Sequence, residues 1–283
     1  MGGMMSGFSQ QIVDDENDPI ERIRIDIGSG LVEITANPDG KGTAVSVDVD
    51  SGPEEDVTVE VVDGELIVEG PQRNVRRGPE IQVRIATSAV LDARVKTGSG
   101  DITADVPLGS ARLSTGSGDV RLTRVENELG VNTGSGDVKV ESAAGAVRAG
   151  TGSGSIDIEE AGDALGLSTG SGDVTIGDAA GPTSVKVGSG DITIERIRDH
   201  SVATSGSGDV KVEIADGPSV QAETARGDVQ IGVPDGLPTY LDLKTVTGRI
   251  RCDLEPGQKP AEGDRALMLR ARTVSGDITV VKV

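Results

Sequence analysis

The chain of 283 residues carries 41 Gly and 12 Pro but one His, one Cys, no Trp, and only Phe8 and Tyr240 as aromatic residues. A single Cys excludes a disulfide framework, and one Cys with one His excludes a His/Cys zinc site. The 47 acidic against 27 basic residues give a net charge of −20, which argues against nucleic acid or an anionic membrane surface as the partner.

Residues 1–20 hold no Lys or Arg and no continuous apolar run of seven, whereas a secretory signal needs both. No stretch approaches the ~18 apolar residues that span a bilayer. The expectation is a soluble cytoplasmic protein, with a surface location as the alternative. Gly, Met, Ser and Gln followed by Asp14, Asp15 and Glu16 read as a flexible lead. Residues 21–94 read as a less regular β region that caps the repeats beyond it. Val45, Val47, Val49 and then Val57, Val59, Val61 alternate as strands do, and Asp63-Gly64 between two such runs predicts a tight antiparallel hairpin.

From residue 95 to 283 one pattern dominates. Thr-Gly-Ser-Gly-Asp begins at Thr97, Thr115, Thr133 and Thr169, with variants at Thr151, Val187 and Ser205, so the starts fall 18 residues apart. Looser copies begin at Thr224, Thr245 and Thr273, and an earlier one is Ile27-Gly28-Ser29-Gly30-Leu31. A Pro/Gly-containing insertion at 255–265 reads as a loop pushed out of one coil. Three aliphatic columns accompany the motif. One comes after it as alternating pairs (Ile102 and Ala104, Val120 and Leu122, Val138 and Val140, Ile156 and Ile158, Val174 and Ile176, Ile192 and Ile194, Val210 and Val212), one precedes it (Val95, Leu113, Val131, Ala149, Leu167, Val185, Ala203), and one lies in the return segment (Val125, Ala143, Ala161, Ala179, Ile197, Ala215). Thr97 and Ile102 share a face although five residues apart, so the intervening GSG makes a corner, for which Gly supplies the dihedrals. A lone coil has too few aliphatics to offset the entropy of ordering it, so the coils must stack. The fold expected is an all-β, single-stranded β-solenoid, right-handed as parallel connections usually are. Eighteen residues are too few for a propeller blade of about 40.

These residues resemble the bacterial adhesin-type β-strand-repeat family, the toast-rack domains. The resemblance rests on Ile25–Ile34 (IDIGSGLVEI), on Ile81–Ile85 leading to Val95-Lys-Thr-Gly-Ser-Gly-Asp, and on the TGSGDV blocks, and it covers roughly residues 20–283. It implies a β-helix without catalytic activity, a link to envelope-stress membrane proteins, or a surface-adhesin role.

The Asp column (Asp101, Asp119, Asp137, Asp173, Asp191, Asp209, Asp228, Asp277) is the most suggestive chemistry. Charges ~4.8 Å apart repel by about 0.9 kcal/mol in water and ~3.5 at an effective dielectric of 20, so something must offset them. A row of Ca²⁺ sites would do so, as in Gly-rich calcium rolls. However, Ser155 and Arg249 interrupt the column, and GSGD places the acid one residue closer than G-x-G-x-D. The simpler role is acceptance of backbone N–H bonds at the corner, as in Asx turns, with Arg121, Lys139, Lys211 and Arg251 as counter-charges. The Thr column reads as a buried hydroxyl ladder rather than an ice-binding face. The GSG corners lack a Walker pattern and open no helix, so they are not phosphate cradles. His200 lies among solvated charges with no nucleophile paired to it, and Cys252 reads as an inert thiol. Glu141, Glu159, Glu195 and Glu213 form a solvated acidic stripe. The function expected is therefore a non-enzymatic scaffold without cofactor, binding protein partners. Its candidate contact is the coil edge at Ile278, Val280, Val281 and Val283, where a partner strand or a second copy could add end to end.

Overall fold

The computed structural model describes residues 8–13, 19–49, 57–70, 80–254 and 266–283, and it is all β. The loop expected at 255–265 lies outside the described residues. The chain divides into two units, Met1–Lys139 and Val140–Val283.

The first unit contains β1 (Phe8–Val13), β2 (Arg22–Ala36), β3 (Thr43–Val49), β4 (Thr58–Val62), β5 (Glu65–Glu69), β6 (Glu80–Thr87), β7 (Leu91–Ser99), β8 (Ile102–Ala104), β9 (Leu108–Thr115), β10 (Val120–Val125) and β11 (Leu129–Thr133). Parallel pairing joins strands of neighbouring coils, as a solenoid requires: β7 with β9 (Val95 opposite Leu113), β9 with β11, and β8 with β10. Strand β2 is a full coil by itself. Its first half lies between β5 and β7, and its second half pairs with β6 and β8. On the outer side the direction reverses. β3 is antiparallel to β6, and β4 is antiparallel to β5 through the hairpin turn in which Asp63 and Gly64 have φ of 51° and 70°. Positive φ at both central residues is the geometry that matches the twist of hairpin strands. Part of the lead expected to be flexible is strand, because β1 runs antiparallel along β3 with Phe8 opposite Val49. Alternation in Phe8–Val13 is weak, so the strand owes its place to the open edge of β3 rather than to its own pattern.

The segment β12 (Val138–Ala143) spans the division. The second unit then holds β13 (Val147–Thr151), β14 (Ile156–Ala161), β15 (Leu165–Ser171), β16 (Val174–Ala179), β17 (Thr183–Ser189), β18 (Ile192–Ile197), β19 (Ser201–Ser207), β20 (Val210–Ala215), β21 (Ser219–Arg226), β22 (Val229–Val233), β23 (Thr239–Thr247), β24 (Ile250–Cys252), β25 (Leu267–Ser275) and β26 (Ile278–Lys282). Up to β22 each strand pairs in parallel with the one two places on, in an 18-residue register up to β20 (Leu165 faces Thr183, and Val174 faces Ile192) that lengthens to 19 at β21 and β22 (Ser201 faces Val220, and Val210 faces Val229). The three aliphatic columns are buried in both units; Ile176, Ile194, Val210 and Val212 have no exposed surface.

The order of coils then departs from the order of the chain. β21 and β22 pair with β25 and β26, and those pair in turn with β23 and β24. The last segment of the chain is thus inserted between two earlier ones. Among the described residues β23 pairs only with β25 and β24 only with β26, so the outermost coil of this unit is 239–252. This corrects the edge expected at Ile278–Val283. Ile278 and Val280 are wholly buried, with partners on both sides (Val229 and Ile250, Ile231 and Cys252). Val281 faces Gly232, and Val283, half exposed, donates its N–H to Val233 O at 3.0 Å.

Candidate functional site, the corner ladders and the open coil

Each GSG corner lies directly on the corner of the neighbouring coil. A Cβ added to Gly136 would sit 1.7 Å from the carbonyl oxygen of Gly118, and one on Gly118 would sit 1.9 Å from that of Gly100. No side chain fits there, which is why the third residue of each corner is Gly. The Thr hydroxyl bridges the corners from inside. Thr133 Oγ1 donates to Gly118 O at 3.3 Å and accepts the N–H of Gly136 at 3.0 Å. Thr169, Thr224 and Thr273 likewise donate to Gly154, Gly208 and Gly227. The expected hydroxyl ladder is present, and these hydroxyls are nearly all hidden from solvent.

The Asp column bonds between coils rather than within one corner. Oδ1 of Asp101 accepts the N–H of Asp119 (2.9 Å), and Oδ1 of Asp119 accepts that of Asp137 (3.0 Å). In the second unit Asp173 accepts from Asp191, Asp191 from Asp209, Asp209 from Asp228, and Asp228 from Asp277, at 2.7–2.8 Å. Ser155 does not break the series, since its Oγ accepts the N–H of Asp173 at 3.3 Å. The ladder therefore has a direction: each carboxylate reaches for the coil next to it on one side. It ends at Arg249, whose N–H donates to Asp277 Oδ1 (2.9 Å) and which has no carboxylate to offer onward. A charge-assisted bond to each carboxylate offsets the repulsion along the column. Of the counter-charges expected, Arg121 bonds Asp119 at 2.8 Å, Arg251 lies 4.0 Å from Asp277, and Lys211 turns instead to Glu213 at 2.8 Å.

The backbone N–H of Asp137, aided by Arg121, holds the Asp119 carboxyl below its ordinary value of 3.8. A depressed folded-state pKa means stability that is full above the unfolded value and lost as pH falls through the folded one. Asp119→Ala is accordingly expected to cost about 1 kcal/mol at neutral pH, the net worth of one such bond. Urea melts should show that difference shrinking as the pH is taken below the ordinary carboxylate range.

Groups suited to chemistry do not converge. Among the described residues no three or more His, Cys, Asp or Glu side chains lie close enough to hold a metal ion. His200 is exposed, its Nε2 4.0 Å from Asp199. A shallow hollow of about 430 Å³ in the second unit is lined by Thr151, Ser168, Thr169, Lys186, Val187 and Thr204, which pair no base with a nucleophile. Among the described residues no helix is long and apolar enough to cross a membrane.

What the second unit does present is its uncovered coil. Tyr240, Leu241, Val246 and Ile250 on β23 and β24, with Met268 and Val274 on adjoining β25, are 41–67 % exposed. Leu241 and Ile250 occupy the columns in which Leu269 and Ile278 are buried one coil below. They are exposed because, among the described residues, no further coil covers them. Cys252 is exposed on the same coil. Position 249 carried the signal that could have located this coil in the sequence. Ser155 still offers a hydroxyl acceptor to the next coil, whereas a rung with Arg at this position offers none and suits the end of a ladder.

The Toastrack family model DUF4097 matches residues 20–177 and again 167–281. The chain belongs to the Toastrack family. Among solved structures this toastrack chain is similar to a "putative adhesin" from Bacteroides fragilis, at 17 % identity and a TM-score of 0.46, covering 98 % of this chain and 97 % of that one. Another "putative adhesin", from Parabacteroides distasonis, shares 16 % identity with a TM-score of 0.37 over 98 % of each chain. A "putative lipid binding protein" from the same species shares 15 % identity with a TM-score of 0.38, covering 99 % of this chain and 98 % of that one. No curated protein matches the chain.

Proposed function

We propose that this toastrack protein is a non-catalytic scaffold that binds protein partners by strand addition at the coil β23–β24. The observation that carries this reading is the coincidence, on one coil, of an unpaired sheet edge and exposed aliphatic columns. An edge of this kind offers main-chain hydrogen bonds for affinity, and its alternating side chains offer specificity. The acidic outer faces keep the protein soluble and leave this coil as the apolar surface available for contact. Toastrack resemblance directs the search for partners to envelope-stress membrane proteins.

The test is photo-cross-linking in cells from a reactive amino acid placed at Val246, compared with the same group at Glu159 on the acidic stripe. The expected result is adducts from position 246 that map to one extended partner segment and vanish when Leu241→Glu charges the edge. Adducts of equal yield from both positions, or none from 246, would overturn the proposal.

A further inference from the structure

We infer that the occupant of the open coil is a second copy of this chain, joined through β23 in an antiparallel register centred on Leu243. This rests on the strand-addition reading above and names its partner.

The backbone sets the parity. The N–H of Leu267 donates to Pro238 O at 2.9 Å, while that of Met268 turns the other way, to Pro218 O. In a parallel ladder the two groups of one residue point to the same side. The even-numbered residues of β23 therefore engage β25, and Leu241, Leu243 and Thr245 aim their N–H and C=O groups outward. A second copy related by a two-fold axis through Leu243 meets those same groups. Leu243 then faces Leu243 of the second copy, and Leu241 faces its Thr245, both as hydrogen-bonded pairs.

The side chains complement one another in that register. The strand reads Thr-Tyr-Leu-Asp-Leu-Lys-Thr-Val-Thr from 239 to 247. Reversed about Leu243, it places Asp242 opposite Lys244, Tyr240 opposite Val246 and Thr239 opposite Thr247. The Asp242–Lys244 pair falls at a non-hydrogen-bonded position, where Cα atoms approach to about 4.5 Å and side chains are nearest. It occurs twice by symmetry, as an isologous interface requires. Lys244 has no acidic partner among the described residues, so it is available. Asp242 is held in place by Arg270 Nε at 2.9 Å and Arg272 Nη2 at 3.1 Å, and half its side chain remains exposed. The coil also bears Lys244, Arg249 and Arg251 against Asp242 and Asp253, a local balance opposite in sign to the chain's −20. Two copies thus meet on a segment that does not share the chain's net negative charge.

Sedimentation of the full chain over a concentration series tests this, with the fluorescence of Tyr240 as a local reporter because the chain has one Tyr and no Trp. Three proteins are compared: the wild type, Lys244→Glu and Asp242→Lys, each checked for folding by its melting curve. The expectation is a wild-type dimer whose formation shifts the Tyr240 emission. Either variant alone should dimerise about 10- to 100-fold more weakly, since two opposite-charge pairs become like-charge pairs. An equimolar mixture of the two should recover the dimer. One copy then presents carboxylates at both positions 242 and 244, and the other presents ammonium groups at both. Wild-type protein that stays monomeric, or a dimer that neither variant weakens, overturns the inference. So does a mixture that fails to recover when both variants are folded. A monomer that still cross-links from position 246 to another protein refutes the second copy alone. A monomer without such adducts refutes the strand-addition reading as well.

Discussion

Gly208→Ala is expected to lower stability by about 3–5 kcal/mol, the combined cost of overpacking and of a strained dihedral. The new Cβ would lie 2.0 Å from the carbonyl oxygen of Gly190, at a φ of 147° that L side chains rarely adopt. No rotamer change relieves the clash, because the obstacle is backbone. Relief requires the two corners to separate, which would stretch the bonds from Gly190 N–H to Ser207 O and from Ser205 Oγ to Gly190 O, both 2.9 Å. Differential scanning calorimetry should show a transition lower by roughly 10 °C. Gly166→Ala is the matched control. Its Cβ would meet nothing nearer than Arg148 Cγ at 3.9 Å, and its place in a strand makes Ala neutral or slightly stabilising. Equal losses in the two variants would mean that corner contact is not what demands glycine.

The second large effect concerns the aliphatic columns. Ile176→Ala removes a side chain with no exposed surface, stacked between Ile158 and Ile194 in register. With no large ring nearby to slide into the gap, the cavity persists, and the loss should reach about 3–5 kcal/mol in urea unfolding. Each coil is supported by its neighbours, so the damage should spread into hydrogen-exchange protection of β14 and β18 as well as β16. The contrasting position is Ile250, in the adjoining column of Val174 and Ile192 but 46 % exposed on the open coil. Ile250→Ala there should cost no more than about 1 kcal/mol. A small effect at Ile176 would show that the columns do not carry the stability of the stack.

The coils, their corners and the Asp63-Gly64 hairpin were legible in the chain because each follows from a local rule of alternation, glycine geometry or turn preference. The spatial order of the last coils was not. Val229 and Ile231, Ile250 and Cys252, and Ile278 and Val280 satisfy the inward columns equally well, so periodicity alone cannot say which copy neighbours which. The direction of the carboxylate bonds was equally hidden. An Asp after a glycine corner can accept from its own turn or from the next one, and only the stacked geometry selects the second. Periodicity therefore points to the last segment, residues 278–283, as the exposed coil, whereas the exposed aliphatic columns lie on β23 and β24. The strand β1 escaped notice for a different reason, since it is recruited by an edge that another part of the chain provides.

The inserted position of β25 and β26 bears on how the protein is made. Coils up to β22 can dock in the sequence in which they leave the ribosome, each on the one before. β23 and β24 emerge next but have nothing to rest on until the segment from residue 267 onward has been translated and has settled against β21 and β22. The open coil is thus the last to form, and a nascent or prematurely ended chain could not display it in its final shape. Strand addition at that coil, as proposed above, is thereby reserved for molecules whose synthesis has run past that point.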